Sequence, residues 1–136
     1  MSDAICVDAS VLVALVLVEP TTERLRTLWR VWLAEGRRFV APPALLFEMA
    51  GVLERKMRSG VMEPTVARMI LASAEGLAAQ IEQPAIVGGL QMAWDLALAY
   101  RLRVLDACYL AVARQERAEL WTLDHELARR TGAKTP

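Results

Sequence analysis

The stretch Ile5–Val18, ICVDASVLVALVLV, constrains the chain more than any other. Ile5-Cys6-Val7-Asp8 reads as a short apolar strand that ends in a carboxylate. A strand with no polar alternation belongs in the middle of a parallel sheet covered on both faces. In open parallel sheets the carboxyl ends of the strands form the ligand crevice, and Asp8 and Ser10 fall there. Asp and Ser are also ordinary helix caps, which accept hydrogen bonds from the first amides of a following helix. The aliphatic run Val11–Val18 is such a continuation. Taken alone, this stretch supports a cap and a functional acid equally.

The 136 residues fit one domain, 1–136, with length enough to bury a real core. Formal charge is zero, so no global basic field announces nucleic acid. RNA is not excluded by this, because metal ions can neutralise phosphate locally. All basic residues except Lys56 and Lys134 are Arg, a side chain suited to bidentate phosphate contacts. Cys6 and Cys108 lie in apolar runs without a C-x-x-C pair and read as buried thiols of a reduced compartment. The N-terminus carries Asp3 rather than a basic region, so no signal peptide is expected. The Val11–Val18 run falls short of the roughly 20 residues that cross a bilayer. A cytoplasmic, soluble protein without a membrane partner is expected.

Further along, Glu19-Pro20-Thr21-Thr22-Glu23 opens a helix that runs to about Glu35 and is closed by Gly36. Leu25, Leu28, Trp29 and Trp32 share one of its faces. Core packing is the simplest role for them, and a partner surface is the alternative. After a short strand at Arg38–Ala41, a helix spans about Ala44–Arg58 and contains Glu48. The helical neighbours of Glu48 are Ala44, Leu45, Gly51 and Val52, all apolar. An unpaired carboxylate on such a stripe costs several kcal/mol or shifts its pKa until it neutralises. A metal ion or a convergent polar site would resolve the conflict. A helix from Glu63 to about Ala79, a brief strand at Gln80–Gln83 and a helix ending near Arg101 come next. Val104-Leu105 then leads into a helix opened by Asp106, and the apolar strand Leu120–Leu123 into Asp124 and a short helix, His125–Arg130. This alternation predicts an α/β fold with a parallel sheet.

The chain has five Asp residues, and three of them, Asp8, Asp106 and Asp124, are expected at strand-to-helix junctions. Right-handed crossovers bring successive strand ends to one edge of a sheet, so these acids can converge with Glu48. Four clustered carboxylates repel unless a cation is shared. Hard divalent ions take such oxygen ligands, and Mg²⁺ binds through few carboxylates plus substrate phosphate. An ion held this way polarises phosphate and activates water, the chemistry of phosphodiester hydrolysis.

Four segments then carry a resemblance over almost the whole chain: V-D-A-S-V-L, P-P-A-L-L-F-E-M-A-G-V-L, L-D-A-C-Y-L-A-V-A and W-T-L-D-H-E-L-A, in that order. The sequence resembles the PIN-domain family, most closely the VapC-type ribonuclease toxins of toxin–antitoxin pairs. The resemblance implies a three-layer α/β sandwich, with a mostly parallel sheet of four to five short strands and about seven helices. It assigns Asp8, Glu48, Asp106 and Asp124 as catalytic metal ligands, with Ser10 and Thr122 as supporting hydroxyls. It implies Mg²⁺ or Mn²⁺, an RNA substrate (tRNA, rRNA or mRNA), a homodimer and a cognate antitoxin. The antitoxin would lie in a groove of the early helices that includes Leu25, Leu28, Trp29 and Trp32. One departure is Gly51, where family members often carry Asn three residues after the helix Glu; the chain contains no Asn. Gly51 keeps open a second reading, a catalytically weakened PIN scaffold that binds RNA or a partner.

Other residues compete less well. His125 is the only His, and the metal mechanism requires none. Asp95, on a fairly apolar helix face, is a candidate accessory acid but is expected to pair with Arg101 or Arg103. Tyr109 is expected to pack in the core. Arg101, Arg103 and Arg114 are candidate phosphate contacts expected to be solvated surface. A haloacid-dehalogenase-like phosphatase would need Asp at position 10, where Ser10 stands, and a late Lys. A phospho-receiver domain would need an acid pair at the first strand end and a Lys at the last. Neither pattern is present.

Overall fold

The computed structural model describes residues 2–136. Strand β1 (Ala4–Val7) is wholly buried and pairs in parallel with β2 (Arg38–Val40) on one side and β3 (Glu119–Trp121) on the other. The order is therefore β2-β1-β3, with the apolar N-terminal strand in the centre. This is where an unalternating strand has to go, because only the central position hides both of its faces.

Seven helices accompany the sheet among the described residues: α1 (Ala9–Val16), α2 (Thr22–Ala34), α3 (Leu45–Arg58), α4 (Pro64–Ala78), α5 (Gly89–Tyr100), α6 (Val104–Gln115) and α7 (His125–Thr131). Register assigns them to layers. Ile5 lies opposite Phe39, and Val7 opposite Trp121, so these side chains share one sheet face. Helix α2 covers that face: Trp29 stacks on Phe39 at 4.0 Å between ring centroids, and Trp32 meets Trp121 edge-on at 5.0 Å. Cys6 points the other way, and its Sγ donates to the Tyr109 carbonyl of α6 at 3.6 Å. Helix, sheet and helix thus form three layers, as the family resemblance implies, around the parallel sheet that the alternating pattern predicts.

Two expectations need correction. The sheet has three strands rather than four or five. The strand expected at Gln80–Gln83 shrinks to a single bridge, in which Glu82 N donates to the Phe39 carbonyl and Ala41 N to the Glu82 carbonyl. Pro84 follows two residues later and supplies no amide to extend the ladder. Lys134 makes a matching single bridge to Trp121 at the opposite edge, so both sheet edges are closed by one residue each. The second correction concerns α2. Leu25, Trp29 and Trp32 are buried and Leu28 packs against the core, so these four side chains form a seam inside the protein rather than a groove on its surface.

Candidate active site

The four acids share one origin: each stands at the start of a helix that begins at the carboxyl edge of the sheet. Asp8 caps α1, and Asp124 caps α7, while Glu48 and Asp106 lie in the first turns of α3 and α6. Helices α1, α3 and α7 follow directly on β1, β2 and β3. Asp106 arrives differently from its expected strand-to-helix junction. No strand precedes it; α5 ends at Arg101 in a left-handed turn (φ 56°) and α6 begins at Val104. Helix α6 then leads into β3, so it runs against the strand direction and starts at the same edge as the others. The partial positive charge of a helix N-terminus favours a carboxylate in each case.

Asp8, Glu48, Asp106 and Asp124 all line one cavity of about 730 Å³. A larger groove of about 920 Å³ between α3 and α4, walled by Leu53, Met57, Ala67 and Leu71, brings no comparable set of acids together. Chemistry therefore points to the smaller cavity.

Asp8 is buried and held at both oxygens. Ser10 Oγ donates to Oδ1 at 2.5 Å, Val11 N to the same oxygen at 3.2 Å, and Thr122 Oγ1 to Oδ2 at 2.5 Å. Burial raises its pKa, and these hydrogen bonds oppose the rise. The two hydroxyls also tie β1 to the segment after β3, since Ser10 Oγ accepts from Leu123 N and Thr122 Oγ1 from Asp124 N. Asp124 Oδ1 accepts from Glu126 N and Leu127 N at 2.9 and 3.1 Å.

Glu48 is the uncompensated member. Its Oε1 is buried without a hydrogen-bond partner, and so is the Tyr109 hydroxyl that faces it. Desolvation raises the Glu48 pKa first of all; the nearby Tyr109 hydroxyl lowers it, and Asp106 and Asp8 raise it further. Proximity of the two groups is enough to perturb both, yet they do not meet in an aligned hydrogen bond. The Tyr109 pKa rises for the same reasons, burial first and then the Glu48 charge.

Asp106 is paired. Arg103 Nε and Nη2 donate to its two oxygens at 3.0 and 3.2 Å. The four acids face the same space without closing into a ready ligand cage: among the described residues no three acid, His or Cys side chains are grouped tightly enough to hold an ion directly. Spread carboxylates still suit Mg²⁺, which keeps several waters and contacts few carboxylates. The donor set is all hard oxygen, and the orphaned Glu48 Oε1 offers an acceptor with nothing to accept. The residues fit such an ion.

The cavity also holds residues beyond the four acids and Ser10; of these, the sequence reads Arg103 as a candidate phosphate contact and Tyr109 as a core residue. Glu19, Arg55, Arg103 and Tyr109 line it. Glu19 and Arg55 carried no signal, because each reaches the cavity only through tertiary packing of α1 and α3. Tyr109 is in the core, as its apolar surroundings predict, but its hydroxyl looks into the site. Asp95 forms no ion pair among the described residues and is exposed on α5, since Arg103 is engaged with Asp106. His125 is exposed in the first turn of α7.

The family model for the PIN domain matches residues 5–133. PAE2754 from Pyrobaculum aerophilum superposes with a TM-score of 0.73 at 23% identity, covering 97% of this chain and 88% of that one. VapC20 (Rv2549c) of Mycobacterium tuberculosis, a Sarcin-Ricin loop cleaving toxin, superposes with a TM-score of 0.69 at 18% identity, covering 92% and 93% respectively. At these identities both likenesses speak for the fold. No curated protein matches the chain.

Proposed function

The chain belongs to the PIN-domain family, and from that premise we propose that it is a metal-dependent endoribonuclease, the toxin of a toxin–antitoxin pair. PIN domains are generally nucleases, and one structural neighbour is a Sarcin-Ricin loop cleaving toxin. The observation that carries the reading is the convergence of four helix-start carboxylates on one cavity, with Glu48 Oε1 buried and unpartnered.

In this reading Asp8, Glu48, Asp106 and Asp124 hold Mg²⁺ or Mn²⁺. When bound, the ion supplies phosphate polarisation and water activation. The chain's own residues do the positioning. Ser10 and Thr122 lock the Asp8 carboxylate in one orientation. The caps at Asp8 and Asp124 fix where α1 and α7 begin, and hence the width of the cavity between them. Arg103 keeps the Asp106 carboxylate turned to a known partner until substrate enters.

The reading extends to one PIN domain over residues 1–136, a cytoplasmic setting, an antitoxin partner and a homodimer. Exposed Leu90, Trp94 and Leu98 on α5 are apolar surface that a second copy would cover. An antitoxin segment would use exposed apolar surface such as the α3–α4 groove, because the Leu25/Trp29/Trp32 seam is closed. No helix among the described residues is long and apolar enough to cross a membrane.

The Arg103–Asp106 pair and the spread of the acids favour one competing reading, a PIN scaffold that holds RNA without cutting it. Purified protein incubated with RNA and Mg²⁺ or Mn²⁺ separates the two. Cleavage that stops in EDTA and in Asp106→Asn is expected, and 5′-end mapping after induction of wild type and variant would locate the cut. RNA binding in EDTA with no cleavage under any divalent ion would decide for the scaffold.

A further inference from the structure

Two arginines line the acid cavity, and the protein uses them differently. Arg103 is engaged through a forked contact with Asp106. Arg55 forms no ion pair with any carboxylate among the described residues, although Glu48 lies two turns away on the same helix; its neighbour Glu54 pairs with Arg58 instead.

The position of the Arg55 guanidinium follows from the helix. Side chains on a helix lean toward its N-terminus, so a long residue covers the turn before it. The residue at i−4 from Arg55 is Gly51, and a methyl placed there would meet Arg55 Nη1 at 3.5 Å. Gly51 has helical backbone, not the left-handed turn that would demand glycine. A glycine in mid-helix weakens the helix relative to alanine. What it leaves here is bare backbone over which the guanidinium lies, one turn from Glu48 and on the cavity wall. A cation held beside a carboxylate cluster without pairing with it is available to an incoming anion.

We propose that Arg55 is a substrate-positioning residue, whose guanidinium binds a phosphodiester oxygen of an RNA strand beside the bond that is cut. The proposal rests on the nuclease reading for the location of that bond. A guanidinium matches two phosphate oxygens with its planar fork, and on the cavity wall it would hold the strand in register while taking no part in the bond change.

The test combines two measurements on full-length wild type, Arg55→Ala and Arg55→Lys. Fluorescence anisotropy with a single-stranded RNA oligonucleotide in EDTA, across a salt series, reads binding apart from catalysis. Arg55→Ala is expected to weaken binding about tenfold and to reduce the steepness of log K against log salt by about 0.7, the share of one phosphate contact on a single strand. Arg55→Lys keeps the slope and recovers only part of the affinity. In cleavage assays with Mg²⁺, Arg55→Ala raises KM and leaves kcat within about twofold. Wild-type affinity and slope in Arg55→Ala overturn the proposal, as does a fall in kcat with KM unchanged. If wild type binds RNA but never cuts it, the nuclease reading falls, and the anisotropy series still decides whether Arg55 holds phosphate. If wild type binds no RNA in EDTA yet cuts it with Mg²⁺, the Arg55 proposal falls and the nuclease reading stands.

Discussion

Glu48 shows how a single residue can work against stability in the free protein. Its ionised form lacks a partner for Oε1, and burial together with Asp106 and Asp8 pushes its pKa above the ordinary 4.5. The folded state therefore holds the proton more tightly than the unfolded chain does, and this group's contribution to stability falls as pH rises from 4.5 through the raised value. Glu48→Gln removes that penalty. In EDTA, its melting temperature is expected to draw ahead of wild type as pH is raised from 4 to 8, and in a separate assay with Mg²⁺ its cleavage is expected to be lost. A gap that is flat or reversed across that range would refute the account of Glu48 as an uncompensated charge. The anomaly was legible beforehand, because an acid among Ala44, Leu45, Gly51 and Val52 breaks the helix pattern. Its proximity to the Tyr109 hydroxyl was not legible, since the two residues come together only when α3 and α6 pack beside β1.

At the scale of elements, the pattern of strand, acid and helix disclosed Asp8 and Asp124, and both stand where that pattern puts them. It misled at Asp106, because the apolar pair Val104-Leu105 looks like the end of a strand and is in fact the first turn of α6. The Trp face of α2 carried two readings at equal spacing, and packing chose between them: Trp29 stacks on Phe39 and Trp32 abuts Trp121. Trp29→Ala should therefore cost about 3–5 kcal/mol of stability in denaturant unfolding, the usual price of emptying a buried aromatic site. A loss below about 1 kcal/mol, accompanied by selective loss of partner binding, would return this face to the surface. The edge bridges at Glu82 and Lys134 could not be foreseen, since one residue on each side of the ladder leaves no periodic trace.

Across the whole molecule, the acids come from positions 8, 48, 106 and 124, so the cavity joins the first strand to the last helix. An ion gripped by these residues would hold parts of the chain that otherwise meet only through the sheet. Ligands that bind the native state alone stabilise by mass action, about 2.7 kcal/mol at a hundredfold excess over Kd. Adding Mg²⁺ or Mn²⁺ to EDTA-stripped, dialysed protein is expected to raise its melting temperature by several degrees, and the rise should shrink in Glu48→Gln. An unchanged melting temperature at millimolar ion would argue against a shared cation. The layered α/β architecture was readable from alternation alone, whereas the cavity's basic wall at Arg55 and Arg103 depends on helix orientation that no local spacing encodes.

Asp8 and Asp124 are clasps as well as charges, because each fastens the opening turn of its helix. Alanine at either position would loosen the frame and remove one of the pocket's carboxylates together, and its phenotype would not separate the two. Asparagine caps nearly as well as aspartate, so an amide there takes away the charge and leaves the fastening. On the nuclease reading, a single amide at either position is expected to disarm the protein without unfolding it, which would give inert decoys of this scaffold a short mutational route.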